Sequence, residues 1–142
     1  MEELTSEWVA KAENDFYTAD LALHAGEFPI PDTACFHCQQ CAEKYLKAYL
    51  QEYGVQFLPR HNLMPLLDLC VSLDKNFEAL RISLRQLESY SVAVRYPGMN
   101  VSFEIARQRF SPACTPNSLP KSLYAKWKSP PKKKNICPAL GC

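Results

Sequence analysis

The chain has 142 residues, a length that fits one domain able to bury a core. A hydrophobic fraction of 47% is typical of globular proteins and excludes an intrinsically disordered chain. The net charge of +1 hides an asymmetry. Residues 1–104 carry eight Lys and Arg against fifteen Asp and Glu, whereas residues 105–142 carry eight Lys and Arg and no acid.

The predicted location is the cytoplasm. Met1-Glu2-Glu3 does not resemble the start of a signal peptide, which needs a basic stretch and then an apolar run. No segment approaches the roughly 18 apolar residues of a membrane span, so no membrane association is expected. The seven cysteines are an odd number, which argues against a secreted disulfide scaffold.

Apolar residues recur at helical spacing through most of the chain, and four helices are predicted over 5–25, 32–53, 62–73 and 76–94. Thr5 or Ser6 is the expected N-cap of the first helix, and Asp32 that of the second. Gly26 and Gly54 are the expected stops. A fifth helix is predicted to begin near residue 101. No alternating strand pattern is present, so the predicted fold is an all-α, antiparallel up-and-down bundle of four to five helices.

The second helix has two contrasting faces. Its apolar stripe contains Cys35, Cys38, Ala42, Leu46, Tyr49 and Tyr53. The opposite side contains Gln40, Glu43, Lys44 and Lys47. This polar side is either a binding patch or a solvated face, in which a Glu43–Lys47 pair would stabilise the helix by only a few tenths of a kcal/mol.

The fourth helix also groups charged residues on one side, namely Arg81, Arg85, Glu88 and Arg95. Guanidinium groups bind phosphate oxygens in bidentate fashion, so this side is a candidate phosphate contact. The alternative is an exposed rim in which the arginines pair with Glu88.

A run of three cysteines, Cys35, Cys38 and Cys41, has a spacing similar to that of iron–sulfur or zinc sites. Such runs usually lie in loops that can converge on one ion, and this run is predicted to be helical. We therefore expect three core thiols and no metal.

Several motifs occur in a characteristic order: Trp8 and Ala12-x-x-Asp15; Gln39-Gln40-x-Ala42-Glu43-Lys44-x-Leu46-Lys47; His61-x-Leu63-x-x-Leu66-Leu67; and Arg95-Tyr96-Pro97. Over roughly residues 6 to 110 the chain resembles the HEPN (higher eukaryote and prokaryote nucleotide-binding) family. The resemblance implies a helical bundle that forms homodimers. Prokaryotic members are often encoded beside a minimal nucleotidyltransferase as two-component, toxin–antitoxin modules. Many are toxin RNases, and others bind nucleotides or only a partner.

The nuclease members carry an Arg followed after four to six residues by a His. Such a pair would stabilise charge on the phosphate and move a proton. No His follows Arg95 at that spacing, since His24, His37 and His61 all lie earlier. We therefore predict no catalytic residues, no cofactor and a non-catalytic nucleotide- or phosphate-binding module that acts with a nucleotidyltransferase. The alternatives are a metal-independent RNase, with RNA as the ligand, and a purely structural dimerisation domain.

The resemblance also implies the position of the binding site, because it brings the third-helix His and the Arg-Tyr-Pro turn towards the polar side of the second helix. The predicted nucleotide- or phosphate-binding residues are Gln40, Glu43, Lys44, Lys47, His61, Arg95 and Tyr96. For His61, a local cap at the start of the third helix is the alternative.

The predicted domain covers residues 1–110, and residues 111–142 form a tail rich in Pro and Lys. Prolines at this spacing prevent a long last helix, so we expect the tail to be disordered. It is either a basic appendage that touches nucleic acid or the product of a shifted reading frame.

Overall fold

The computed structural model describes residues 2–27, 29–93, 97–98, 102, 104 and 106, apart from the side chains of 90–93. Its elements are α1 (Glu3–Leu23), α2 (Pro31–Glu52), α3 (Leu63–Leu73), a 3-10 helix (Lys75–Leu80) and α4 (Arg81–Ala93). No strand occurs among these residues, and the predicted all-α bundle is confirmed. Of the fifth predicted helix, only 104 and 106 are described as helical. Arg95, Tyr96 and the predicted tail lie outside the described residues.

The predicted N-caps of the first two helices are wrong. Helix α1 begins two residues earlier than predicted, so that Thr5 is buried inside it. Helix α2 begins at Pro31, which places Asp32 in the first turn. Proline suits this position because the amide hydrogen it lacks would have no helical partner there. Both glycine stops are confirmed, since Gly26 and Gly54 follow the helices with φ of +54° and +66°.

Helices α1 and α2 form an antiparallel pair along their whole length. The Glu2 amide at the start of α1 donates to the Glu52 carboxylate at the end of α2, over 3.1 Å. At the other end, the Ile30 amide donates to the Ala22 carbonyl over 2.8 Å. Small buried residues such as Ala12 and Ala19 let the two backbones approach closely.

The segment 53–62 turns back along α2 before α3 begins. The Phe57 ring contacts Trp8 of α1, with 6.3 Å between ring centroids. Further on, the His61 carbonyl accepts a hydrogen bond from Gln39 in the first half of α2. Helix α3 therefore begins beside the middle of α2.

Helix α4 runs antiparallel to α3 and completes the described part of the core. Glu88 of α4 accepts a hydrogen bond from the Leu63 amide at the start of α3, and Arg81 pairs with Asp68 further along α3. The predicted fourth helix is divided, because its first turn is 3-10 in form, with the Asp74 side chain accepting from the Asn76 amide. The core contains Leu46, Leu50, Leu63, Leu67, Cys70, Phe77, Leu84 and Leu87.

None of the helices in the described part of the chain has the length and hydrophobicity that a membrane span requires.

Candidate functional site

The polar side of α2 is covered by the rest of the protein. The side chains of Glu43 and Lys47 are only 3% and 6% exposed, and Gln39 is also buried. Interpreting this side as a solvated face is therefore wrong. The reason is that α1 and the returning segment 53–62 pack here, and the periodicity of one helix does not show which other segments cover it.

Glu43, Lys47 and His61 form one polar cluster, which we call the Glu43 network. The Lys47 ammonium donates to Glu43 Oε1 over 2.6 Å. The same ammonium lies 5.3 Å from the ring centroid of Trp8 and 5.9 Å from that of Phe57. Burying a charge is costly unless it is paired. Here a carboxylate and two aromatic faces together replace the water around the ammonium.

His61 is the part of this network that solvent reaches. Its Nδ1 lies 3.1 Å from Glu43 Oε1, whereas its side chain is 74% exposed. Its carbonyl accepts from Gln39 Nε2 over 3.0 Å, so both its ring and its backbone are held by α2. The alternative role of His61 as a cap of α3 is wrong. The first amide of α3 donates instead to Glu88, over 2.7 Å.

A second cluster, the Asp15 network, lies between α1 and α2. The Asp15 carboxylate accepts from His37 Nδ1 over 2.8 Å and is paired with the Lys44 ammonium through its other oxygen. Asp15 is buried, and its partners His37 and Lys44 are both partly exposed. The sequence-based site omitted Asp15 and His37. The available signal was the position of Asp15 on the buried stripe of α1, three residues after Ala12 and four before Ala19.

The two networks are neighbours, because Lys44 and Lys47 lie one turn apart on α2. Within them, each lysine is paired with a carboxylate, so their charges largely compensate each other. The half-buried Gln40 donates to Gln39 Oε1 over 2.8 Å and so belongs to the same polar layer. Of the predicted binding residues that the structure describes, His61 has the most exposed side chain, at 74%. The structure brings Gln40, Glu43, Lys44, Lys47 and His61 into one region.

On the charged side of α4 the structure describes Arg81, Arg85 and Glu88, whereas Arg95 lies outside the described residues. Arg81 bridges Asp68 and Glu78, and Glu88 accepts a hydrogen bond from the Leu63 amide at the start of α3. The hydrogen bonds from Arg81 lower the pKa of the Glu78 carboxyl and raise the pKa of the arginine itself. Of these side chains, Arg85 is exposed.

The three cysteines of the predicted helical run are buried in the protein interior, as expected for core thiols. Cys70 of α3 is also buried, and burial raises the pKa of its thiol to about 12. Among the described residues, no group of three or more His, Cys, Asp and Glu side chains has the arrangement of a metal site.

The fold and these networks define a class: a small helical-bundle domain whose central helix carries buried, paired charges under an exposed histidine. The family model of the HEPN domain matches residues 5–113, about three quarters of the chain. The chain therefore belongs to the HEPN domain family, as its motifs predicted. No curated protein and no solved structure gives a significant match.

Proposed function

We propose that the protein is a non-catalytic HEPN module that binds the phosphate group of a nucleotide at His61. The observation that carries the proposal is the placement of this ring, 74% exposed at the surface and anchored from below by the buried Glu43–Lys47 pair. An imidazole held in one orientation loses little conformational freedom on binding, which favours affinity.

Burial changes the roles of the two predicted lysines. Lys47 is enclosed by Glu43, Trp8 and Phe57, so it acts by neutralising the carboxylate beneath the ligand and does not contact the ligand itself. Lys44 is partly exposed, and its ammonium has donors left beyond the bond to Asp15. It can therefore complete the site with Gln40.

Arg95 and Tyr96 complete the proposed site on the strength of the family motif. Arg95 would add a positive charge beside Lys44 and Lys47, each of which is already paired with a carboxylate. A charge-assisted bond from Arg95 to a phosphate would contribute about 1.5–3 kcal/mol.

The proposed context is cytoplasmic, with a homodimer of this chain working beside a small nucleotidyltransferase in a toxin–antitoxin type system. It is supported by membership of the HEPN family and by the missing Arg-x4-6-His motif. Sedimentation of the purified protein measures the dimer. Co-purification with the product of an adjacent nucleotidyltransferase gene tests the partner.

The test of the binding site is a calorimetric titration with ATP at low salt. Wild type should bind, and affinity should fall as salt rises because charged groups make the contacts. His61→Ala and Arg95→Ala should each bind about tenfold more weakly or worse.

The matched control is His24→Ala. His24 is also exposed and also has Nδ1 3.1 Å from a carboxylate, but that carboxylate belongs to the half-exposed Asp20 at the far end of α1. This variant should bind like wild type. Absence of ATP binding by wild type, or equal binding by the His61 and His24 variants, would contradict the proposal. Cleavage of a labelled RNA by the metal-free protein would favour the RNase alternative.

A further inference from the structure

A single oxygen atom connects the buried and exposed parts of the Glu43 network. Glu43 Oε1 lies 2.6 Å from Lys47 Nζ and 3.1 Å from His61 Nδ1. The carboxylate is nearly inaccessible, whereas the imidazole above it is largely exposed. A buried carboxylate, that of Glu43, therefore holds the ring of a surface histidine by a hydrogen bond.

This contact determines which ring nitrogen is free. An ionised carboxylate has no hydrogen to donate, so the hydrogen of the contact must be on His61 Nδ1. The other nitrogen, Nε2, is left for a ligand, to which it donates when the ring is protonated. The bond from Gln39 to the His61 carbonyl holds the backbone at the same place and limits rotation of the whole residue.

We propose that Glu43 is a positioning residue, which keeps His61 protonated at Nδ1 and directs Nε2 towards the phosphate of the ligand. The inference rests on the proposed function and adds a residue that acts through another. Lys47 makes the arrangement compatible with an anion, because it compensates the negative charge of Glu43 directly below the ring. The chemical class of ligand is a phosphate group, whose oxygen accepts from Nε2 when the ring is an imidazolium, since in the neutral ring with its hydrogen on Nδ1 the Nε2 atom has none to donate.

The single variant Glu43→Leu is a poor test, because it would leave the buried Lys47 ammonium without its partner. The double variant Glu43→Leu/Lys47→Met removes both charges, and replacing a buried ion pair by apolar residues of similar volume is often neutral for stability. The second variant, Glu43→Gln/Lys47→Met, also lacks the charges but restores an oxygen that can accept from Nδ1. Circular dichroism verifies that both retain the helical content of wild type.

The experiment combines nitrogen NMR of the histidine rings in the full chain, assigned with His61→Ala, and calorimetric titration with ATP. In wild type, the neutral ring of His61 should carry its hydrogen on Nδ1. In Glu43→Leu/Lys47→Met the two tautomers should mix, and ATP affinity should fall about tenfold, as when a group that orients a ligand-binding imidazole is lost. Glu43→Gln/Lys47→Met should recover the Nδ1 tautomer and most of the affinity.

The outcomes separate this inference from the proposed function. If wild type binds ATP and both double variants match it in tautomer and affinity, the positioning role is refuted and the proposed function stands. If the tautomer changes and affinity does not, the positioning role in binding is likewise refuted. If wild type does not bind ATP, the proposed function fails and the inference fails with it.

Discussion

Replacing Lys47 with methionine should destabilise the protein far more than an ordinary ion pair would lead one to expect. The Glu43 and Lys47 side chains are 3% and 6% exposed, so water cannot solvate the carboxylate once its partner is gone. Breaking a buried pair on one side typically costs about 3–5 kcal/mol. Methionine keeps favourable contact with the Trp8 and Phe57 rings, and His61 remains beside the acid. We therefore expect Lys47→Met to lower the free energy of unfolding by about 3 kcal/mol, the lower end of this range.

The assay is urea denaturation followed by circular dichroism. With a total stability of roughly 5–15 kcal/mol, the Lys47→Met variant should still fold. In a thermal scan followed by circular dichroism, its melting temperature should be lower by roughly 12 °C, at about 4 °C per kcal/mol. The double variant Glu43→Leu/Lys47→Met should recover most of the loss, since no charge is left unpaired. As a surface control, Asp20→Asn, which alters the exposed Asp20–His24 pair, should cost less than about 1 kcal/mol.

A loss of unfolding free energy below about 1 kcal/mol for Lys47→Met, equal to that of the surface control, would contradict a buried, water-excluded Glu43–Lys47 pair. It would show that water reaches the pair in solution and that the polar side of α2 is solvated after all. A double variant less stable than the single one would refute the explanation based on an unpaired charge.

Three further predictions concern other parts of the bundle. Asp15→Asn should lower the free energy of unfolding by about 1–3 kcal/mol, measured by urea denaturation, because the amide keeps only one of the two acceptor oxygens that hold His37 and Lys44 and lacks the negative charge. Arg81→Ala should return the pKa of Glu78 upwards to its ordinary range in an NMR titration, since the arginine hydrogen bonds that lower it are gone; an unchanged pKa would contradict this. Stability should fall as pH rises above about 8.5. Above this pH the Cys70 thiol of the unfolded chain loses its proton. The folded protein retains that proton, because burial raises the pKa of the Cys70 thiol to about 12. Cys70→Ala should reduce this alkaline loss in denaturation midpoints measured between pH 8 and pH 10.

The fold was predictable from sequence because the helices are amphipathic and end at clear signals. The apolar residues Phe77, Leu84 and Leu87 recur at helical spacing and are buried, and the glycines after α1 and α2 adopt positive φ. Helix starts were less predictable. Proline breaks a helix in its interior but suits the first helical position. The sequence alone therefore does not show whether Pro31 belongs to the segment between α1 and α2 or begins α2, as it does in the structure.

The site was predictable only in part. Spacing grouped Glu43, Lys44 and Lys47 correctly, but it did not show that the side they share is covered. Coverage depends on the path of segment 53–62 and on the packing of α1, which are tertiary features. The pairing of Asp15 with His37 joins residues 22 positions apart, and no local pattern in the chain encodes it.

If an exposed His61, supported by a buried ion pair, contacts the phosphate of a nucleotide, its ring must respond when the nucleotide binds. We would follow this response by nitrogen NMR of all three histidine rings during an ATP titration at low salt. The His61 ring signals should shift with a dissociation constant equal to that measured by calorimetry, while those of His24 remain unchanged. A stationary His61 signal at saturating ATP, or equal shifts for His24 and His61, would contradict it.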